Sequence, residues 1–306
     1  MKQIIRSLCK AALTALLVAA VAVPSFSQTA KVTVIKADNS SKDKVVTDGT
    51  TCKASFLFSE ITAISASSVF EVEVSKSNVG RVTVTAPKRT LEHLIVKYDN
   101  GTLRLRVENG YSFSSNKPAR GKNLRGPVKV TVEAIKLSKI DLSGASSLTL
   151  KDSFNEDECY IDLSGASKAR LNNLSARKIK YDVSGASNLI QSGSFTEADI
   201  DASGASKVKI TGNIVNLTAD ISGASSVDVD GKGESVNVDA SGASHFNGDD
   251  FTVNSAKVDL SGASKGRVRV LKSIKGELSG ASKLIYSGNP DKVMIERTRG
   301  TSLSHQ

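Results

Sequence analysis

Asp201-Ala202-Ser203-Gly204-Ala205-Ser206-Lys207-Val208-Lys209-Ile210 is followed a short interval later by Asp220-Ile221-Ser222-Gly223-Ala224-Ser225-Ser226-Val227-Asp228-Val229. The shared Ser-Gly-Ala-Ser recurs eight times, with its glycine at Gly144, Gly165, Gly185, Gly204, Gly223, Gly242, Gly262 and Gly280. Successive glycines are spaced at a nearly constant period, and self-similarity of that kind marks stacked supersecondary units. Two residues before each glycine stands an apolar side chain: Leu142, Leu163, Val183, Ala202, Ile221, Ala240, Leu260 or Leu278. Three before it stands an acid: Asp141, Asp162, Asp182, Asp201, Asp220, Asp239, Asp259 or Glu277. Four and six after it the pattern is again mostly apolar, as in Leu148/Leu150 and Val208/Ile210, with polar residues between. This is period-2 alternation on both sides of a corner, the mark of strands with one buried face.

Corner geometry accounts for the motif. Glycine takes positive φ without steric cost. The alanine is expected to point into the little room inside the corner. The serines are expected to bond backbone groups that the corner leaves unpaired, and to form ladders along the stack. Phe154, Leu174, Phe195 and Phe251 are candidates for a third inward strand. A coil of about 20 residues with three short faces predicts a right-handed parallel β-helix. Eight coils at the strand spacing extend roughly 35–40 Å. The alternative, a flat antiparallel sheet of hairpins, needs two-residue turns opposite each corner, and no regular ones are seen.

Working outward from the repeats (139–290), the segment from Phe56 reads as strands. Ser68–Val74 and Arg81–Ala86 alternate, with turn residues Ser77-Asn78-Val79-Gly80 between them. Thr90 is placed to cap a short helical turn through Leu94. Ile95–Tyr98 and Thr102–Val107 flank Asp99-Asn100-Gly101, a strong hairpin signal. Residues 109–126 read as a loop, and Val128–Val132 as another strand. The organisation predicted is a signal peptide over 1–27, a polar lead-in over 28–54 that includes a β-like run at Lys31–Ile35, and an all-β solenoid domain over 55–306.

The N-terminal segment 1–27 carries the signal-peptide pattern. Lys2, Arg6 and Lys10 precede the apolar run Ala11–Val23, and small residues lead to a cut before Gln28. The run is short for a membrane span of about 20 residues. Cys9 precedes it, where a lipoprotein cysteine would follow. The mature chain is therefore expected to be exported, to the periplasm, the outer-membrane surface or the medium, with no stable membrane span. Losing three basic residues lowers the net charge from +10 to +7. The one dense basic stretch, Lys117, Arg120, Lys122, Arg125 and Lys129, lies in a loop without interleaved aromatics. It reads as a solvated loop rather than a nucleic-acid site, though acidic glycans or anionic lipid suit it too. Cys52 and Cys159 remain after cleavage, and an oxidising compartment would permit a disulfide.

The acid before each corner is the sharpest chemical feature. Stacked at strand spacing, neighbouring carboxylates repel by about 1 kcal/mol in water and up to about 4 near a protein surface. Three ways of offsetting this are open. The carboxylates accept backbone N–H bonds, or they pair with Lys168, Lys207, Lys265 and Lys283, or they bind calcium. Calcium candidates are Asp162, Asp182, Asp201, Asp220, Asp239 and Asp259. The spacing differs from the Gly-rich nonapeptide that binds calcium in other solenoids.

Phe56-Leu57-Phe58-Ser59-Glu60-Ile61, Val69-Phe70-Glu71-Val72, Gly101-Thr102-Leu103-Arg104-Leu105, the Ser-Gly-Ala-Ser corners and Ile285-Tyr286-Ser287-Gly288-Asn289-Pro290 together carry a resemblance. The chain resembles the "putative autotransporter adhesin, head GIN domain" family over about Phe56 to Gln306. The resemblance implies an exported β-solenoid with an adhesive role, and brings no catalytic residues or cofactors.

Three functions compete. The first is a non-enzymatic envelope adhesin or scaffold that presents side-chain ladders to a glycan or protein ligand. The second is a periplasmic structural or stress-related protein with a protein partner. The third is a polysaccharide-acting β-helix enzyme, which needs a special acid pair or base in a groove. The ladder acids are regular rather than special, and His93, His245 and His305 have no evident partners in the sequence.

Overall fold

A computed structural model describes residues 28–31, 51–113 and 121–306 of the protein. The signal-peptide assignment, most of the lead-in, and Lys117 and Arg120 of the basic stretch lie outside the described residues.

The repeats form a β-solenoid with parallel pairing from coil to coil. The strands β16 (Asn188–Ala202) and β17 (Lys207–Ile221) pair in parallel from end to end in a single register, with one gap where the chain turns after Phe195. The same corner columns continue from β11 (Lys139–Gly144) through β13 (Phe154–Leu163) and β15 (Leu174–Val183) to β20 (His245–Leu260). The antiparallel hairpin alternative is thereby excluded for the repeats.

Each coil has three short faces. One ends in the acid and apolar pair before the corner, the next begins after Ser-Gly-Ala-Ser, and a short third face carries an inward aromatic or aliphatic residue. Phe154, Leu174, Phe195 and Phe251 are all buried there, as the alternation predicts. Leu163, Val183, Ala202, Ile221, Ala240 and Leu260 form one inward column beside the corner. The core is thus a set of aliphatic columns running along the stack, held by burial of apolar surface.

A second glycine column was not read from the sequence. Gly193, Gly212 and Gly231 stack on one another where the second face bends into the third. Gly212 has φ +152°, and a Cβ there would run into the carbonyl oxygen of Gly193. The signal was present, since these glycines repeat at the same interval as the corners, but no flanking motif drew notice to it.

At the N-terminal end both main faces continue into non-repetitive strands. β3 (Ala63–Ser68) pairs in parallel with β11, and β4 (Phe70–Lys76) pairs in parallel with β12 (Ser147–Leu150). Beyond β3 come β7 (Thr102–Val107) and then antiparallel β6 (Leu94–Asp99) and β1 (Gln28–Lys31). Beyond β4 come β10 (Val128–Ala134) and then antiparallel β5 (Gly80–Pro87) and β2 (Thr51–Phe58). β2 therefore starts at Thr51, within the stretch read as lead-in.

The predicted hairpin at Asn100-Gly101 is present. Asp99 faces Thr102, and both turn residues have positive φ, +45° and +77°. The other local turn does not make a hairpin. β10 lies between β4 and β5, so Ser77–Gly80 bridges strands that are not neighbours. The helical turn α1 spans Lys88–Leu91 and starts after Pro87 rather than at Thr90. Thr90 is buried within it, and its Oγ1 donates to the carbonyl of Arg125 at 2.7 Å. Pro87, the last residue of β5, stands at the N-cap with an extended ψ of 142° and makes no side-chain cap bond. β24 (Ser302–His305) and β23 (Lys292–Arg297) complete the C-terminal coil.

Candidate functional site

The corner is built differently from the expectation at one residue. The eight glycines have φ between +68° and +75°. Each approaches the corner residue below so closely that a Cβ would stand 2.5–2.7 Å from its neighbour's carbonyl oxygen. The alanine N–H donates to that oxygen in every coil, as from Ala205 to Gly185 at 2.8 Å and Ala224 to Gly204 at 2.7 Å. The alanine side chains, however, face solvent. The inward residue is the second serine: Ser146, Ser167, Ser187, Ser206, Ser225, Ser244, Ser264 and Ser282 are all buried. The period-2 alternation runs on through the corner: Leu142, Ser146, Leu148 and Leu150 share one parity, so the second serine turns inward and the alanine outward.

These hydroxyls are only partly satisfied. Ser206 Oγ donates to Ser225 Oγ at 3.2 Å, and Ser167 Oγ donates to the carbonyl of Ser164 at 2.7 Å. Ser187, Ser264 and Ser282 have buried Oγ atoms without a hydrogen-bond partner. The serine ladder is therefore real along part of the stack and interrupted elsewhere.

The acid ladder faces outward beside the corner. Asp141, Asp162, Asp182, Asp201, Asp220, Asp239 and Asp259 stand in direct register from coil to coil. Partial burial, then the neighbouring Asp141 and Asp182, raise the Asp162 carboxyl above the usual carboxylate range, while Lys139 opposes them. Burial, then Asp239, Asp199 and Asp201, raise Asp220. The Tyr160 phenol is raised by burial and then by the acids Asp162, Asp182, Asp141 and Asp201. These directions agree with the repulsion read from the sequence, with burial the larger cause at both Asp162 and Asp220.

At Asp141 and Asp259 its relief comes from a serine, from a lysine outside the expected four and, as one alternative had it, from a backbone N–H. Ser65 Oγ donates to Asp141 at 3.1 Å, and Lys257 pairs with Asp259 at 2.7 Å. Asp259 also accepts the backbone N–H of Glu277 at 2.9 Å. Lys168, Lys207, Lys265 and Lys283 take part in none of the ion pairs among the described residues. They lie past the corner on the next face, which turns them away from the acids. The ladder puts one carboxylate on each coil. Among the described residues, no group of three or more His, Cys, Asp or Glu side chains gathers as a metal site would require.

The face after the corner carries the opposite charge. Lys168, Lys207, Lys265 and Lys283 belong to one outward column, with Ser147, Asn188, Ser226 and His245 between them. Arg170, Lys209 and Arg267 belong to the next column. Asp228 interrupts it, and Asp230, one column further on, pairs with Lys209 at 3.2 Å. An acidic stripe and a predominantly basic stripe therefore run along the solenoid on either side of a ridge of exposed Gly and Ala. The stripes were present in the sequence, but their separation onto two faces needed the corner geometry.

Cys52 and Cys159 are buried and do not form a disulfide. Burial pushes the Cys159 thiol up to about 12, and its Sγ donates to the carbonyl of Leu137 at 3.3 Å. Two of the histidines have partners. His93 Nδ1 contacts Glu108 Oε2 at 2.9 Å and stacks on Tyr111, while His305 stacks on Tyr286. Among the described residues no helix is long and apolar enough to cross a membrane.

Comparison with known proteins agrees with this architecture. A "putative adhesin" from Parabacteroides distasonis superposes with TM-score 0.62 at 15% identity, covering 84% of this chain and 98% of that one. A "putative lipid binding protein" from the same organism gives TM-score 0.59 at 14% identity, covering 85% and 98%. A "putative adhesin" from Parabacteroides merdae gives 0.52 at 12% identity, covering 85% and 97%. At such identities the likeness is one of fold. No curated protein matches the chain. The family profile described as "Putative auto-transporter adhesin, head GIN domain" matches residues 60–216 and 197–290. The chain belongs to that head GIN domain family.

Proposed function

We propose that the protein is a non-enzymatic, exported adhesin or scaffold that holds an acidic glycan along the basic face beside the corner. The supporting observation is the outward pairs Lys168/Arg170 and Lys207/Lys209, set in register on alternate coils with Asn188 and Ile190 on the coil between, and outside the acid ladder. A polymer has repeating charge, and a solenoid matches it with repeating side chains at strand spacing. The acid ladder on the neighbouring face repels the same polymer and so confines it to one side of the ridge. The adhesive reading is supported by similar structures each described as a "putative adhesin", another being described as a "putative lipid binding protein".

The test is binding of uronate or sulfated polysaccharides to the protein across a salt series. Binding that weakens as salt rises, and that falls in Lys207→Glu/Lys209→Glu, is the expected result, because exposed charge contacts are screened. Equal binding of neutral and acidic polymers, or no loss in the variant, would sink the proposal.

A further inference from the structure

β23 is an edge strand. It pairs with β21 (Lys265–Leu278) on one side and, among the described residues, with no strand on the other. Its inward positions show that a core has been left open. Ile274 is completely buried, whereas Val293, the next residue in the same column, is 43% exposed. Ile295, the other inward apolar residue, is only partly buried, and Met294 on the outward face is 55% exposed. An open apolar edge of this kind is a template for another strand, and proteins usually blunt it with charge or a cover.

The edge does carry charge, in an order that selects one partner. Asp291-Lys292-Val293-Met294-Ile295-Glu296-Arg297 is complementary to itself when read backwards. Suppose two copies of β23 pair antiparallel about a two-fold axis normal to the sheet. Directly opposed residues must then point to the same face, which allows only registers centred on a residue. Centring on Met294 sets Lys292 opposite Glu296, Asp291 opposite Arg297, and Val293 opposite Ile295, each twice by symmetry. Centring one residue earlier sets Lys292 against Met294 and Asp291 against Ile295. Centring one later sets Val293 against Arg297 and Met294 against Glu296. One register of the three satisfies every pair.

We infer that the protein forms a tail-to-tail dimer in which β23 of two copies pair antiparallel about Met294, closing both open cores at once. The interface is isologous and ends with two copies. A head-to-tail filament is opposed by the antiparallel strands that cover the N-terminal end.

Sedimentation equilibrium of the purified protein, up to about 100 µM, tests this. The wild type is expected to be a dimer. Glu296→Lys sets lysine opposite lysine twice and should raise the dissociation constant at least about tenfold, since like charges directly opposed destabilise strand pairs. Lys292→Glu/Glu296→Lys restores opposite charge and should recover the dimer. Circular dichroism and melting of the monomeric Glu296→Lys variant should show an intact solenoid, because the changed side chain is exposed. A monomeric wild type, a dimer indifferent to Glu296→Lys, or failure of the double variant to recover it would overturn the inference. So would loss of the dimer on deleting residues 32–50, which would put that segment at the contact instead.

Discussion

The two ends of the solenoid solve the same problem in different ways. At the N-terminal end, parallel stacking gives way to antiparallel strands on both main faces, β6 and β1 on one, β5 and β2 on the other. Leu91, Leu124 and Leu137 are fully buried there. At the C-terminal end, β23 and β24 each rest on one strand, β21 and β22 (Lys283–Ser287), and the core columns stop uncovered. The difference is one of sequence kind. A further repeat would only expose another open edge, so ending the stack within the chain takes non-repetitive sequence. Residues 51–134 supply that at one end, and nothing in the described chain supplies it at the other.

The largest expected contrast is between core truncations at the two ends. Leu124→Ala in the cap should cost about 3 kcal/mol, since it empties a filled site. Val293→Ala should change the stability of the monomer by roughly 0.5 kcal/mol or less, as expected for a half-exposed side chain. Chemical denaturation of both variants checks this, and equal losses would mean that the C-terminal end is covered after all.

Glycine corners give the next contrast. Gly223→Ala forces positive φ and a backbone clash, and should cost about 2 kcal/mol or more. Gly300 also has positive φ, +96°, but a Cβ there would stand 3.1 Å from the Gly280 carbonyl oxygen, a tight contact that a small shift relieves. Gly300→Ala should therefore cost about 1 kcal/mol, from conformation alone. Melting temperatures that fall equally would show that the close approach adds nothing.

The junction between cap and repeats carries its own defect. Ser68 stands under Gly144 in the corner column with φ +115°. Ser68→Gly should stabilise the protein by about 1 kcal/mol, by removing the strain of a side chain at positive φ. A destabilised variant would mean that the Ser68 side chain has a compensating contact.

The smallest effect belongs to the acid ladder. Asp220 has its carboxyl raised in the fold, so the folded state binds its proton more tightly than the unfolded chain does. That contribution is complete at low pH and is lost as pH rises through the folded value. Asp220→Asn should therefore stabilise the fold slightly at neutral pH, by roughly a few tenths of a kcal/mol after solvent screening, seen as a small rise in Tm, and not at all below the usual carboxylate range. A Tm gain that persists in acid would assign it to something other than charge. Calcium and chelator should give the same Tm, because the acids are spread one to a coil.

Much of the repeat was legible because its rules are local. The inward apolar columns, the corner glycines, the third-face residues Phe154 and Phe195, and the Asn100-Gly101 hairpin all follow from spacing and backbone preference. The errors came where a choice depended on residues far along the chain or on the exact path through a turn. The exposed alanine and buried serine are a different case: the period-2 alternation runs on through the corner and itself gives the inward place to the second serine. Thr90 lost its capping role to a bond with Arg125, far along the sequence.

Sequence alone therefore determined the coil, since period-2 alternation punctuated by glycine has few other ways to bury its apolar face. Tertiary structure decided which strands became neighbours. It placed Val128–Ala134 between two strands that are consecutive in sequence, put the lysines on the face away from the acids, and left β23 at an edge. Those outcomes follow from strand partners competing across the whole chain, and the energy that chooses among them is the burial of a shared core rather than any local preference.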